Sequence, residues 1–244
     1  MFSKEKEKWN KEHEKNNYFG YGNKNPYHTL QSYFNKGDYS ILIIHGFYNG
    51  KFKKNIFDNN MKLTTPVTIN IDNCVFDIVN NGKNLKVLEI GCGYGMYGVN
   101  FARYVKEYIG IDINKKIVDE GNNHIKKFNI PNMKLLEITD KEISILNNYK
   151  FDIIISAAVF IHIDEELMIN YMNKIKYWLN KDGYFSLHFN IDSVKYTDNP
   201  FVKYYTIEYI RELCSSNDLT ILKEINWSKI SSTKYAINII GTLG

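Results

Sequence analysis

A glycine-rich loop follows a short apolar run in residues 87–98, VLEIGCGYGMYG, where four glycines fall within eight residues. Glycine is used where a ligand or another segment must approach the backbone more closely than a Cβ atom permits. One acid, Glu89, precedes the loop, and a second, Asp112, follows Gly93 by 19 residues. Together these features predict a nucleotide site, in which a carboxylate accepts hydrogen bonds from ribose hydroxyls.

The glycines fit two loop registers, which indicate different cofactors. Residues 93–98, GYGMYG, satisfy the G-x-G-x-x-G pattern of dinucleotide binding, with Asp112 near the expected distance, and this register indicates a nicotinamide dehydrogenase. The apolar run, however, ends at Ile90. Counted from there, the loop reads E-x-G-x-G-x-G, and Met96 stands where the dinucleotide pattern requires glycine. The second register therefore favours another nucleotide cofactor.

Two histidines could supply acid–base chemistry. His162 follows the apolar run 151–158, and His188 lies within the run 184–190. A histidine that titrates near neutral pH is suited to remove a proton from a hydroxyl group. The alternative for each histidine is a packing or loop-holding role. In that case alignment alone would suffice for an amine or another good nucleophile.

Alternating strands and helices must position these residues. Short apolar runs predict parallel strands at residues 85–90, 108–113, 133–138, 151–158 and 184–190. The stretches between them have helical periodicity, so we expect an α/β fold with a doubly wound, seven-stranded, mostly parallel sheet that is Rossmann-like. Two further runs, LTILKEINW and KYAINIIGTL, predict a closing hairpin with an antiparallel last strand.

The first third of the chain lacks the regular alternation of strands and helices that is predicted for the rest. We expect residues 1–80 to form an N-terminal extension that caps the substrate, and residues 81–244 to form the nucleotide-binding domain. Trp9 could anchor a charged N-terminal helix or arm, and the alternation in residues 65–72 predicts a strand. The extension is rich in aromatic residues that could cover the ligands as a lid or simply pack on the core: Tyr18, Phe19, Tyr21 and Tyr27.

VLEIGCGYG resembles motif I of the class I S-adenosylmethionine-dependent methyltransferases, and the similarity continues in order over residues 85–244. IGIDIN resembles the acid motif of the second strand, ITDKEI the segment after the third strand, and FDIIISAAVFIHI the fourth strand with its histidine loop. WLNKDGYFSLHF resembles the segment that leads into the fifth strand, although Asn-Lys-Asp-Gly replaces the usual Leu-Lys-Pro-Gly-Gly. The reversed last strand also matches this family, whereas ordinary dinucleotide folds lack it.

The resemblance implies S-adenosylmethionine as the cofactor. Glu89 is expected to orient the loop or accept a hydrogen bond from the ammonium group, and Asp112 to accept the ribose hydroxyls. Ile113 is expected to pack on adenine, and Asp140 to accept from the adenine amino group. The full set of implied cofactor-binding residues is Glu89, Gly91, Cys92, Gly93, Gly95, Asp112, Ile113, Asp140, Ser156 and Tyr21.

The expected activity is methyl transfer to a small-molecule acceptor, as an O-methyltransferase acting on a sugar or polysaccharide precursor, with His162 and His188 as the candidate catalytic residues. An RNA or protein methyltransferase and a non-catalytic cofactor-binding subunit are the alternatives. SAAVF stands where many nucleic-acid enzymes have Asn/Asp-Pro-Pro-Tyr/Phe. The lysines are scattered at a net charge of +4, which argues against a nucleic-acid partner.

The cysteines, acids and apolar runs bear on disulfide bonds, metal sites and the cellular compartment. The three cysteines are far apart and lack a C-x-x-C pair, which argues against a disulfide framework and a zinc site. No acidic cluster marks a magnesium site, so we expect no metal. The charged N-terminus has no signal-peptide core, and the apolar runs are too short to span a membrane. We therefore expect a cytoplasmic protein, and the sequence leaves a homodimer open.

Overall fold

The structure, a computed structural model, describes residues 2–14, 45–47, 50–57, 63–71, 74–194, 202–229 and 233–244. Within these residues, a seven-stranded sheet is accompanied by a separate two-stranded sheet. Tyr21 lies outside the described residues, as do the other three aromatic residues predicted for the lid. Across the described segments, no helix combines the length and apolar character needed to cross a bilayer.

The described elements before the large sheet are two helices and a hairpin. They are α1 (Phe2–Glu14), β1 (Gly50–Phe57), β2 (Leu63–Ile71) and α2 (Ile78–Asn81). Strands β1 and β2 pair antiparallel, and β2 covers most of the strand predicted from the alternation in residues 65–72.

The large sheet alternates with helices along the chain. Its elements are β3 (Lys86–Ile90), α3 (Gly98–Phe101), β4 (Glu107–Asp112), α4 (Lys115–Lys127), β5 (Met133–Glu137), β6 (Phe151–Ser156), α5 (Glu165–Trp178), β7 (Leu179–Ile191), α6 (Ile207–Ser215), β8 (Leu219–Lys229) and β9 (Tyr235–Leu243). The strand order is β5-β4-β3-β6-β7-β9-β8, and β9 runs antiparallel to both of its neighbours. The predicted doubly wound sheet with a reversed last strand is confirmed.

Each face of the sheet packs against its own helices. On one face, Leu88 of β3 and Ile154 of β6 belong to a core that includes residues of α5 and α6. On the other face, Val87 and Ile153 belong to a core with residues of α3 and α4. Central parallel strands are apolar on both sides because helices cover both faces. This explains the nearly continuous apolar runs of β3 and β6 in the sequence.

One boundary differs from the sequence expectation. The apolar run predicts a strand at residues 184–190, but α5 ends at Trp178 and β7 already begins at Leu179. Leu179 is buried and already extended, with ψ at 138°. The Asn180 side chain donates to Asp152 at 2.6 Å, which holds this early part of β7 beside β6.

Candidate active site

A cavity of about 400 Å³ lies at the carboxyl edge of the sheet, beyond the ends of β3, β4 and β6. The chain leaves β3 towards β4 on one side and later places β6 on the other side, so the cavity lies at the topological switch point. Open α/β sheets bind ligands in this crevice. The predicted site residues that line it are Glu89, Gly91, Cys92, Gly93, Asp112, Ile113 and His162.

The glycine loop begins as β3 ends. Gly91, Gly93 and Gly95 have positive φ angles of 69°, 53° and 81°, which favour glycine. A Cβ atom on Gly91 would lie 2.3 Å from Val159 Cγ2, so the loop passes close against the segment that follows β6. Gly95 does not line the cavity, because its Cα faces the Met133 side chain, 2.6 Å from an added Cβ. The structure thus places Gly95 in the packing of the loop on the sheet.

Asp112 joins the end of β4 to the loop. One carboxylate oxygen accepts from the Gly93 N–H at 3.0 Å, and the other accepts from the Asn114 N–H at 2.9 Å. Burial raises the pKa of Asp112, and these backbone donors act in the opposite direction. Each carboxylate oxygen can accept more than one hydrogen bond. Asp112 can therefore hold the loop and still accept hydrogen bonds from ligand hydroxyls.

Glu89 is the second acid of the cavity. Its side chain is buried, and the Tyr108 hydroxyl donates to Glu89 Oε2 at 2.6 Å. Burial raises the pKa of Glu89 to about 8, the nearby Asp112 adds to the effect, and the hydrogen bond from Tyr108 opposes it. Glu89 therefore retains its proton at neutral pH unless a cation lies beside it.

Helix α1 lies against the cavity and contributes Trp9 to its wall. The Trp9 ring meets the His162 ring edge-on at 6.0 Å, and the Trp9 Nε1–H donates to Glu5 at 3.0 Å. The sequence indicates Trp9 only as an anchor, because the residues of a charged helix do not show which strand ends the helix will cover.

Three polar contacts fasten α1 to the carboxyl edge. Lys6 pairs with Glu137 of β5 at 2.6 Å, and Lys8 donates to the His162 carbonyl oxygen at 3.1 Å. The side chain of Asn114, which also caps α4, approaches the Trp9 carbonyl oxygen at 3.4 Å. The helix thus connects the ends of β4 and β5 with the loop after β6.

His188 contacts the cavity wall from behind. Its Nδ1 accepts from the Ala158 N–H at 3.0 Å, and Ala158 lines the cavity with a φ of 56°, which is uncommon for alanine. Burial lowers the pKa of His188 to about 4, with a smaller contribution from His162. His188 is therefore neutral at physiological pH, with its proton on Nε2, and His188 itself does not line the cavity.

Strand β7 has one polar face, which extends away from His188. Ser186, His188 and Asn190 alternate with core residues and are all buried. His45 Nδ1 lies 2.7 Å from Ser186 Oγ and 3.1 Å from Asn238 Nδ2, and burial lowers the pKa of His45 to about 3. His45 and Asn238 were not among the residues predicted from the sequence. The available signal was a single polar residue within each otherwise apolar run.

Asp140 and Ser156 are, with Gly95, the described residues of the predicted cofactor set that lie outside the cavity lining. Asp140 accepts from the N–H and the hydroxyl of Ser144, at 3.1 and 2.5 Å, and thereby caps a short turn. Ser156 is fully buried at the end of β6, and its hydroxyl finds no hydrogen-bond partner in the described part of the chain. The roles predicted for both residues stay predictions. Lining residues that sequence analysis did not identify include Met96, Tyr97, Asn114, Leu167 and Tyr171.

The lining suits a ligand that has both polar and apolar parts. Glu89 and Asp112 offer carboxyl oxygens, whereas Ile113, Ile117 and Leu167 offer apolar surface. A volume of about 400 Å³ falls in the range of small-molecule and cofactor sites. Among the described residues, no group of three or more histidines, cysteines or acids is placed to hold a metal ion.

Comparison with known sequences identifies related proteins. A family model described as a methyltransferase domain matches residues 81–231. The ubiquinone biosynthesis O-methyltransferase of Pelagibacter ubique is 30% identical over 105 residues, which are 41% of this chain and 40% of that protein. The chain spans less than half the length of the curated relatives that it matches.

Comparison with solved structures identifies the same fold. An S-adenosylmethionine-dependent methyltransferase from Clostridium acetobutylicum matches with a TM-score of 0.55 and 18% identity, over 68% of this chain and 86% of that one. The O-methyltransferase of a trans-AT PKS multienzyme of Brevibacillus brevis, solved with S-adenosyl-L-homocysteine, matches with a TM-score of 0.54 and 18% identity, over 65% of this chain and 67% of that one. At these identities, the likeness shows the fold.

Proposed function

The chain belongs to the class I S-adenosylmethionine-dependent methyltransferases, and on that premise we propose that it transfers a methyl group from S-adenosylmethionine to a small-molecule acceptor. The observation that carries the proposal is the cavity at the switch point, where the glycine loop and two acids meet. A non-catalytic cofactor-binding subunit would need the same cavity, so turnover is the decisive test between the two.

The cofactor supplies a methyl group that is already activated on a sulfonium centre. We propose that Asp112 accepts the ribose hydroxyls, because both of its oxygens are held at the cavity by backbone donors. Glu89 would accept from the ammonium group, and Ile113 would pack on adenine. The sequence-based proposals for Asp140 and Ser156 need a shift of those side chains towards the cavity. The set formed by Glu89, Asp112 and the glycine loop is called the cofactor half below.

We place the acceptor beside His162, next to the polar face of β7. The set formed by His162, His188, Ser186, Asn238 and His45 is called the acceptor half. For His162, we propose removal of the acceptor proton, because its ring lines the cavity. For His188, we favour holding of the loop over proton transfer, because its Nδ1 is used by the Ala158 N–H.

The acceptor that we propose bears a hydroxyl group, and a sugar or polysaccharide precursor is the class to test first. His162 lines the cavity and could take the proton of a hydroxyl group, whereas the buried polar side chains of β7 and β9 lie outside the lining. Two proteins similar to this chain are O-methyltransferases by name, which supports oxygen as the methylated atom. The chain must mainly align that oxygen with the methyl group and exclude water.

Calorimetric titration of the full chain tests the proposal. We expect micromolar binding of S-adenosylmethionine and S-adenosylhomocysteine and none of NAD(H). A methyl-transfer screen should then use sugar nucleotides first, with RNA and unmodified proteins as competing acceptors. Binding of NAD(H) alone would overturn the cofactor assignment, and methylation of RNA or protein alone would overturn the acceptor class. Binding of the sulfur nucleosides without turnover on any acceptor would support the non-catalytic alternative.

A further inference from the structure

A buried phenol lies beneath the cofactor half. Tyr108 of β4 has no solvent exposure, and its hydroxyl donates to Glu89 Oε2 at 2.6 Å. In the pairing of β3 with β4, Val87 lies opposite Tyr108 and Glu89 lies opposite Gly110. Side chains two residues apart on a strand share a face of the sheet. Tyr108 and Glu89 therefore lie on the same face of the sheet, offset by two residues along the strand direction.

The ring of Tyr108 is held in place by close packing. An added Cβ on Gly98 would lie 2.6 Å from Tyr108 Cε1, so the backbone of α3 passes directly over the ring edge. The Phe101 ring packs on Tyr108 with centroids 5.8 Å apart. Because the ring is confined in this way, its hydroxyl is held in one position, beside the Glu89 carboxyl group.

We propose that Tyr108 is a positioning residue for the amino-acid end of the cofactor. Its hydroxyl engages one carboxyl oxygen of Glu89, so that the other oxygen stays available to the cavity that Glu89 lines. The pair thereby selects nucleoside ligands that carry an ammonium group over those that lack one. This inference rests on the proposed function and adds a residue that does not itself line the cavity.

Ionisation of Glu89 is part of this selectivity. The titratable groups around the pair are Asp112 at the end of β4, Cys92 in the loop, and Tyr97, which contributes to the raised pKa of Tyr108. The hydrogen bond from Tyr108 holds the pKa of Glu89 lower than burial alone would set it. Without the phenol, Glu89 would ionise at higher pH, and an ammonium group would bind more weakly near neutrality.

The test compares two ligands on the full chain with Tyr108→Phe. S-adenosylhomocysteine carries the ammonium group, whereas 5′-methylthioadenosine has the same nucleoside and no amino-acid end. At pH 7 we expect the affinity for S-adenosylhomocysteine to fall about tenfold, the scale of one hydrogen bond to a charged group. The affinity for 5′-methylthioadenosine should change less than about twofold. Tyr149→Phe is the matched control, because the Tyr149 hydroxyl is near Lys134 and away from the cavity lining.

A second variant keeps the test valid if the phenylalanine disturbs packing. Glu89→Gln leaves Tyr108 in place, and we expect it to weaken S-adenosylhomocysteine at least as much as Tyr108→Phe does. In the Glu89→Gln background, Tyr108→Phe should add less than about twofold, because the two residues act as one unit. Between pH 6 and 9, Tyr108→Phe should also shift the rise in S-adenosylhomocysteine affinity to higher pH, whereas Glu89→Gln should abolish that rise.

The outcomes distinguish failure of the role proposed for Tyr108 from failure of the proposed function. Equal losses for both ligands, or additive losses in the double variant, would overturn the positioning role, and so would an unchanged affinity for S-adenosylhomocysteine in Tyr108→Phe. If the unaltered protein bound neither nucleoside, the proposed function would fail first, and the role of Tyr108 would fail with it.

Discussion

The cofactor half and the acceptor half bury titratable groups at the same edge of the sheet, with opposite effects on their pKa values. Burial raises the pKa of Glu89 to about 8 and lowers the pKa of His188 to about 4. Both side chains are therefore uncharged at neutral pH, as desolvation requires.

The two halves differ in what holds each group. Glu89 accepts from a side-chain hydroxyl and still lines the cavity. A cation bound beside Glu89 would therefore lower its pKa and favour the ionised carboxylate. His188 accepts from the backbone of the loop that forms the wall. The comparison indicates that one half is arranged to acquire charge when a ligand binds, whereas the other half keeps its shape.

Asp112→Ala should give the largest effect. The change removes the acceptors for the Gly93 and Asn114 N–H groups as well as the proposed acceptors of the ribose hydroxyls. We expect S-adenosylmethionine affinity to fall by about a hundredfold or more, measured by calorimetry. Asp119→Ala on the exposed side of α4 should leave affinity unchanged. A loss of less than about fivefold for Asp112→Ala would show that the cofactor half does not depend on this acid.

His162→Gln tests the acceptor half by turnover. We expect kcat to fall about a hundredfold while S-adenosylmethionine affinity changes less than about twofold, because general-base catalysis contributes on this scale. His124→Gln on α4 is the control, since His124 does not line the cavity. An unchanged kcat, measured with the identified acceptor, would leave alignment alone as the contribution of this half.

The pH dependence of unfolding should separate the two halves. The folded pKa of Glu89 is raised, so its contribution to stability is full below about pH 4.5 and is lost as the pH rises through about 8. The folded pKa of His188 is depressed, so its contribution is full above about pH 6.5 and is lost as the pH falls through about 4.

Two variants measure these windows by denaturant unfolding. Glu89→Gln should remove about 2 kcal/mol of the fall in the free energy of unfolding as the pH rises towards 8. His188→Gln should remove a similar part of the fall in the free energy of unfolding as the pH drops towards 4. His45 contributes in the same direction as His188, so some acid sensitivity should persist in His188→Gln. Parallel pH curves for both variants and the unaltered protein would contradict the contrast between the halves.

Trp9→Ala should give the smallest effect on ligand binding. Trp9 is the contact of α1 with the cavity, and its ring meets His162. We expect S-adenosylmethionine affinity to fall about fivefold through the loss of packing area. Asn10→Ala on the same helix is the control, because Asn10 does not line the cavity. Equal behaviour of both variants would mean that α1 does not cover the ligand.

Much of the cofactor half could be predicted from the sequence because its signals are local. The glycines follow a buried strand, and Asp112 ends the next strand, so register alone brings them together. Gly95 shows the limit of this reasoning. Its spacing is the same as that of Gly91 and Gly93, yet it meets Met133 and not the cavity, and a repeat of glycines does not show which way each one faces.

The acceptor half was less predictable because its contacts join distant segments. His45, Ser186 and Asn238 come from three parts of the chain and meet through the folding of the sheet. His162 and His188 were both recognisable as histidines near strand ends. Only the structure separated the residue that lines the cavity from the residue that holds its wall.

The sequence by itself determined the strands and helices of the sheet and the loop with its paired acids, because hydrophobic periodicity and glycine spacing act over a few neighbouring residues. Only the tertiary structure decided that Tyr108 engages Glu89, that α1 covers the cavity, and that Asp140 caps a turn beside it. Those outcomes depend on which surfaces are buried against each other. Burial and hydrogen bonding across distant segments set the charge and orientation of a side chain, and neither is encoded in its immediate neighbours.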